Sequence, residues 1–155
     1  MRIVLRFAVL AAALILSAEL ARVSAQGTSP HGAAGFWLSV QSVIQRYLGR
    51  PYVWGASGLK SFDCSGFVWR VMLESGILVK RTTARKYYMR LPRVAAGSDY
   101  AAGNVVFFDN LKHCGIVSGR SEFYHAQTSK GTNLSHFDPY WRRKISGFRA
   151  FPQGR

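Results

Sequence analysis

The stretch from Pro51 to Leu73 constrains the fold most, because it joins a turn-rich loop to the start of a helix. In this stretch Asp63, Cys64 and Ser65 stand just before apolar residues at helical spacing, which are Phe67, Val68, Val71 and Met72. Cys64 therefore opens a predicted helix, which Asp63 or Ser61 can cap. The unpaired N–H groups and the partial positive charge of a helix N-terminus favour a thiolate. Cys64 is accordingly a candidate nucleophile.

The first 25 residues have the pattern of a secretory signal peptide. Arg2 and Arg6 give a basic start, residues 7–16 are unbroken apolar sequence, and residues 23–25 are the small residues that precede a cleavage site. The apolar run is short for a bilayer of roughly 30 Å, so we favour cleavage over a retained anchor. We expect no stable membrane span after cleavage and export to the periplasm, the cell wall or the medium.

The remaining length suits one domain. We predict a signal peptide at residues 1–25, a flexible lead-in at 26–35, where Gly, Ser, Thr, Pro and Ala occur without periodicity, and a single domain at 36–155. Apolar residues recur every three to four positions over residues 36–48 and predict a helix of about three turns. We expect Gly76 to end the Cys64 helix, and Thr82 or Thr83 to cap a short helix through Tyr88.

The chain is strongly basic, with a net charge of +14 over 155 residues. Such a charge attracts polyanions, including nucleic acid, acidic lipid headgroups and anionic cell-envelope polymers. An exported protein seldom meets nucleic acid, so we expect envelope polymers as partners and no nucleic acid. Because the basic residues are scattered among apolar ones, a solvated face that only keeps the protein soluble is an equally weighted alternative.

The two cysteines, Cys64 and Cys114, do not form a disulfide framework that can be predicted from sequence. A bridge between them would remove the nucleophile, but we expect Cys114 to follow His113 on a strand and to point to the opposite face, away from the site. There Cys114 would be a small buried apolar residue. No Cys-x-x-Cys or His-x-x-x-His pair occurs, so we expect no metal and no cofactor.

Short strands follow the helices. Residues 105–108 form a short apolar run between turn residues, and residues 113–119 and 122–126 follow it closely enough to pair as antiparallel hairpins. We interpret residues 127–132 as a polar connection and predict a last strand within residues 140–151. Helices that precede an antiparallel sheet define an α+β domain.

Amide cleavage by a thiol needs a base that takes the thiol proton and later protonates the departing amine. A third polar group must hold that base in the correct tautomer. His113 and His125 lie at or near the ends of adjacent predicted strands, so both can reach the Cys64 helix terminus. A Cys-His-His triad is therefore feasible from the residues alone.

The chain resembles the NlpC family of papain-like cysteine peptidases, which cut peptides of the bacterial cell wall. The matching motifs are Tyr52-Val53-Trp54-Gly55, Asp63-Cys64-Ser65-Gly66-Phe67-Val68, Arg81-Thr82-Thr83, His113-Cys114-Gly115-Ile116, His125-Ala126 and the closing strand that begins with Tyr140-Trp141. Two positions depart from the family pattern. Ala56 replaces a second glycine, which matters only if the backbone there needs a positive φ, and Asn104 replaces an aspartate in a turn.

The resemblance implies a papain-like NlpC-type α+β domain, in which the cysteine helix packs against a small antiparallel sheet. It also implies that Cys64 is the nucleophile, that His113 is the general base and acid, and that His125 orients His113. It places Tyr52 beside the Cys64 N–H as an oxyanion donor, although Tyr52 as a core aromatic remains an alternative.

The residues on either side of the nucleophile are further candidates for the site. Asp63 and Ser65 flank the nucleophile, and substrate binding and helix capping explain them equally well. We assign His136 and Trp141 no role beyond the fold.

The function that these features favour is an exported cysteine endopeptidase that hydrolyses an amide in the peptide stem of peptidoglycan. The resemblance points to the bond between D-glutamate and the diamino acid. One alternative is a non-catalytic, cationic wall-binding protein of the same fold, and another is an acyltransferase that uses the same Cys-His pair. We expect a monomer that contacts stem peptides.

Overall fold

The computed structural model describes residues 30–152. Residues 36–152 belong to one compact unit, and before them only residues 30–35, the start of one helix, are described. The predicted signal peptide at residues 1–25 and the first part of the predicted lead-in lie outside the described residues. Within residues 30–152, no helix combines the length and the apolar character that crossing a membrane requires.

Helices precede strands along the described chain. The elements are α1 (Pro30–Tyr47), α2 (Cys64–Glu74), α3 (Ala84–Arg90), β1 (Val105–Phe108), β2 (His113–Val117), β3 (Glu122–Gln127), β4 (Gly131–His136), α4 (Pro139–Lys144) and β5 (Ile145–Arg149).

Helix α1 begins at Pro30, so the prediction of a flexible lead-in is wrong for residues 30–35. The sequence there lacks apolar periodicity, but a helix needs that pattern only where it packs. Proline is tolerated in a first helical turn, and alanine has a high helix propensity. From Phe36 onward the predicted apolar stripe is present, and Val40, Val43 and Ile44 are buried.

Helix α2 begins at Cys64, as the sequence predicts. The Asp63 backbone is extended and its carboxylate accepts a hydrogen bond from the N–H of Gly66 at 2.6 Å, which caps the helix. Gly76, with a left-handed φ of 82°, follows the end of the helix and confirms the predicted stop. The apolar stripe is fully buried at Phe67, Val68, Val71 and Met72. Thr83 likewise caps α3 through the N–H of Lys86, as predicted.

The five strands form one antiparallel sheet in the order β4-β3-β2-β1-β5, which confirms the α+β class. Helix α2 packs on the face that carries Cys114 and Ile116. The opposite face carries Val106, Phe108 and Phe123. Each face of the sheet is therefore covered by its own hydrophobic core.

Two elements differ from the sequence prediction. The predicted polar connection over residues 127–132 contains the start of strand β4, and the predicted last strand begins as helix α4 before β5. The Asp138 carboxylate accepts from the Trp141 N–H at 2.9 Å, and Pro139 occupies the first turn, so capping favours a helix there. Ala56 is not among the residues with positive φ, whereas Gly55 is, at 77°, so the departure from the family pattern is harmless.

We predict that Gly66→Ala destabilises the domain by about 1–3 kcal/mol, because a Cβ at this position would collide with the backbone carbonyl of Ala56. Gly119→Ala is the matched control, since a Cβ there meets open space and its φ is not left-handed. Urea unfolding of both variants measures the difference. Equal stabilities would contradict the close approach of the loop to α2.

Candidate active site

Cys64 lies in the first turn of α2 and is 6% exposed. Its Sγ atom is 3.9 Å from the carbonyl oxygen of Lys112, the residue before β2. A hydrogen bond from the side chain of Cys114, and then the hydrogen bond and charge of His113, lower the pKa of Cys64 to about 5, although burial opposes the shift. Cys64 is therefore a thiolate at neutral pH.

Cys114 contacts Cys64, so the prediction that its side chain points away from the site is wrong. Alternation along β2 does place Cys114 and His113 on opposite faces, but α2 packs on the Cys114 face and brings Cys64 to it. Cys114 is fully buried, and both thiols are free. Burial, and then the hydrogen bond with Cys64, raise the pKa of Cys114. Cys114 therefore remains a thiol and donates to the Cys64 thiolate.

The two histidines assigned from the sequence are in direct contact. Nε2 of His113 lies 2.8 Å from Nδ1 of His125, and the ring planes are nearly perpendicular. Gly115 pairs with His125 across β2 and β3, and a Cβ on Gly115 would lie 3.1 Å from the His125 Cβ and 2.6 Å from the Tyr124 carbonyl oxygen. The glycine thus permits the close approach that joins the two rings.

His125 is fully buried and stays neutral. Burial, and then the nearby charge of His113, lower the pKa of His125 to about 3. A neutral imidazole has one donor and one acceptor nitrogen, and here Nδ1 faces His113. Since Nε2 of His113 is occupied by this contact, Nδ1 of His113 is the nitrogen left for the thiol.

Trp141, for which we predict no role beyond the fold, packs against both histidines. Its ring stacks on His113 with 5.6 Å between centroids and meets His125 edge-on at 5.0 Å. Phe108 lies 5.9 Å from the His113 ring. These aromatic contacts restrict the His113 imidazole in a way that sequence spacing does not reveal. The signal available in the sequence was the resemblance of Tyr140-Trp141 to the closing strand of the family.

The turn between β1 and β2 has an unusual backbone. Its three residues Asp109, Asn110 and Leu111 all have left-handed φ angles, of 51°, 53° and 68°. This conformation is disfavoured for residues with a Cβ and needs support from the surroundings. Lys144 pairs with Asp109 at 3.2 Å, and Arg85 donates to the Asn110 carbonyl at 2.8 Å. The turn, held by these contacts, places the Lys112 carbonyl and His113 next to the Cys64 thiol.

Asp63 joins several parts of the site. Besides capping α2, it accepts from the Gly55 N–H at 3.0 Å and the Ser65 hydroxyl at 2.9 Å, and Arg81 donates to both of its oxygens at 2.9 and 2.7 Å. The geometry thus accounts for Asp63 and Ser65 structurally, and substrate binding by either stays a prediction. Sequence spacing does not predict that Arg81 lies in the site, although Arg81-Thr82-Thr83 resembles a family element.

Tyr52 is half-buried beside the nucleophile. Burial, and then the charges of Cys64 and Asp63, raise the pKa of its phenol, so the hydroxyl keeps its proton as a donor. Its role toward an oxyanion stays a prediction.

Two grooves meet at Tyr52 and Lys112. One, of about 900 Å³, is lined by His113 and Trp141, and the other, of about 540 Å³, is lined by Cys64 and Arg81. Among the described residues, no group of three or more His, Cys, Asp or Glu side chains is arranged to hold a metal ion.

A cysteine at a helix N-terminus and two histidines in hydrogen-bond contact on an antiparallel sheet are the residue types that a cysteine peptidase needs. The sequence pattern of the NlpC/P60 family matches residues 49–150, and the chain belongs to this family.

Similar proteins agree with this assignment. The probable peptidoglycan endopeptidase LytE of Bacillus subtilis (strain 168) is 36% identical over 109 residues, which are 67% of this chain and 31% of that protein. The gamma-DL-glutamyl hydrolase of the same organism is 32% identical over 115 residues, 69% of this chain and 27% of that protein. This chain therefore spans less than a third of the length of either relative. A crystal structure of an NLP/P60 family protein from Staphylococcus aureus subsp. aureus Mu50, described as similar to lipoprotein, gives a TM-score of 0.67 at 26% identity, over 77% of this chain and 42% of that one.

We predict that Cys114→Ala raises the pKa of Cys64 above about 5, because the largest stabilising contact of the thiolate is lost. The pH profile of Cys64 alkylation by iodoacetamide should then move to higher pH, and the rate should fall at pH 5, where about half of the wild-type thiol is ionised. Cys114→Ser, which keeps a hydrogen-bond donor, is the matched control and should stay closer to the wild type. An unchanged pH profile in Cys114→Ala would show that Cys114 does not stabilise the thiolate. Because Cys114 is fully buried, alkylation reports on Cys64.

Proposed function

We propose that this chain is an exported cysteine endopeptidase that hydrolyses an amide bond in the peptide stem of peptidoglycan. The observation that carries the proposal is the buried thiolate of Cys64 beside His113. Nε2 of His113 in turn contacts His125, which is neutral. Family membership supports the chemistry, and the relative named as a peptidoglycan endopeptidase supports the substrate. The basic start, apolar run and small residues of positions 1–25 support export to the periplasm or cell wall.

The proposed reaction has two steps. The Cys64 thiolate attacks the amide carbonyl carbon, a C–S bond forms, and the negative charge moves to the carbonyl oxygen. The Cys64 N–H and the Tyr52 hydroxyl are the donors proposed to stabilise that oxyanion. His113 then protonates the departing amine as the C–N bond breaks. In the second step His113 removes a proton from water, the hydroxide attacks the thioester, and the Cys64 thiolate leaves.

The proposed bond is the one between D-glutamate and the diamino acid. The gamma-DL-glutamyl hydrolase relative supports this proposal, because its name describes cleavage at a γ-glutamyl linkage. The net charge of +14 supports attraction to stem peptides, which bear free carboxylates, and to anionic envelope polymers.

We predict that Cys64→Ala abolishes the release of shortened peptides from purified sacculi, because no other described thiol lines the grooves. His113→Ala should lower the rate by about 10²–10⁴, the usual contribution of general acid–base catalysis. Mass spectrometry of the digest measures both effects and identifies the bond that is cut. Ser121→Ala, an exposed serine outside the site, is the control and should release fragments at the wild-type rate.

Undiminished release by Cys64→Ala would refute the mechanism. An added amine distinguishes hydrolysis from acyl transfer, because a transferase would attach the amine to the new glutamyl end. Incorporation of the amine in preference to water would replace the endopeptidase with an acyltransferase.

A further inference from the structure

Strand β4 continues the hydrogen-bond chain that begins at Cys64. Asn133 pairs with His125 across β3 and β4, and Ser135 lies two residues further along the same face. Nε2 of His125 is 2.9 Å from the Ser135 hydroxyl, which in turn donates to Oδ1 of Asn133 at 3.0 Å. Neither residue was assigned a role from the sequence.

The contacts of Asn133 determine which groups donate and which accept along this series of hydrogen bonds. Its amide nitrogen donates to the carbonyl oxygen of Gly131 at 2.8 Å. A carbonyl oxygen can only accept, so the amide nitrogen must face Gly131 and Oδ1 must face Ser135. Gln127, whose side-chain nitrogen lies 3.5 Å from the same Oδ1, is consistent with this orientation. Ser135 therefore gives its only proton to Asn133.

The orientation of Ser135 then determines both imidazole tautomers. Because the Ser135 hydroxyl proton is already donated, its oxygen must accept the proton on Nε2 of His125. Nδ1 of a neutral His125 is then unprotonated and accepts from Nε2–H of His113. In neutral His113 the lone pair is then left on Nδ1, where it takes the thiol proton of Cys64 and so produces the thiolate and the charged imidazolium. Burial and the charge of His113 hold the pKa of His125 at about 3, which keeps one proton on this ring.

We propose that Asn133 and Ser135 are positioning residues that fix His125 as the Nε2–H tautomer and thereby direct the basic nitrogen of His113 toward Cys64. The effect of this tautomer on catalysis rests on the proposed peptidase function, whereas the assignment of the tautomer does not. With the opposite tautomer, His125 would donate from Nδ1 to Nε2 of His113. Neutral His113 would then present an N–H instead of a lone pair to the thiol.

The test is nitrogen NMR of the ¹⁵N-histidine-labelled full chain, which distinguishes protonated from unprotonated imidazole nitrogens. In the wild type we expect Nε2 of His125 to be protonated and Nδ1 to be unprotonated. Ser135→Ala and Asn133→Ala, each combined with Cys64→Ala so that no thiolate favours a charged His113, should populate the Nδ1–H tautomer, whereas Cys64→Ala alone should not. Ser135→Thr, which retains the hydroxyl, should restore the wild-type spectrum, and Ser121→Ala should not alter it.

The kinetic readout on peptidoglycan stem peptides is a separate arm. Ser135→Ala should lower kcat by about tenfold with little change in KM, as expected for one lost hydrogen bond to a catalytic group. Ser135→Thr should recover most of the rate. Thermal unfolding of each variant shows whether the domain is intact. Because Ser135 is only half-buried on an edge strand, we expect a small change in Tm.

Two NMR results would overturn the inference. The first is an Nδ1–H tautomer of His125 in the wild type, and the second is the wild-type tautomer of His125 in both double variants. These results do not depend on any substrate, so they are distinguishable from failure of the peptidase proposal, which would appear as a lack of cleavage by the wild type.

Discussion

The position of the nucleophile depends on the carboxylate of Asp63. This one side chain caps α2, accepts a hydrogen bond from the Gly55 N–H in the preceding loop, and pairs with Arg81 through both of its oxygens. Charge-assisted bonds of this kind are stronger than neutral ones, and Asp63 is only 8% exposed, so water competes weakly for them. Loss of the carboxylate would leave the Arg81 charge and two backbone N–H groups without this partner. The loop, the helix start and the segment before α3 are thus held together at one point.

The sheet separates the two halves of the site. Cys114 supports the thiolate from the face covered by α2, whereas His113 and His125 lie on the face covered by Trp141. The thiolate and the imidazole can meet only at the strand end, where β2 begins. The left-handed turn of Asp109, Asn110 and Leu111 delivers that strand end, which explains why a disfavoured backbone is held by contacts from Lys144 and Arg85.

Local motifs made much of this structure predictable. The apolar stripe and the capping aspartate predicted α2, and the runs bounded by turn residues predicted β1, β2 and β3. Strand β4 and helix α4 were missed because their patterns are weak. Strand β4 is an edge strand with a mostly polar sequence, and α4 has no buried residue, so its local signals were the cap at Asp138 and the proline in its first turn.

The errors within the site have a different cause. Alternation along a strand predicted correctly that Cys114 and His113 face opposite ways, but it does not say which face receives the helix that carries Cys64. The contacts of Arg81, Trp141, Asn133 and Ser135 also depend on tertiary packing, which brings residues far apart in sequence within hydrogen-bond distance. Only the family resemblance carried part of this information, through the motifs around Arg81 and Trp141.

The hydrogen bond from Cys114 has two opposing effects on reactivity. It stabilises the Cys64 thiolate, so the anion is available from about pH 5 upward. The nucleophilicity of a thiolate falls with its pKa, with a Brønsted coefficient of about 0.4–0.5, so each unit of lowering slows attack by roughly threefold. At neutral pH a thiol with a somewhat higher pKa would still be ionised and would attack faster. Near pH 5 the larger anion fraction outweighs this loss. The second cysteine therefore favours reactivity under mildly acidic conditions at the expense of the maximum rate at neutral pH.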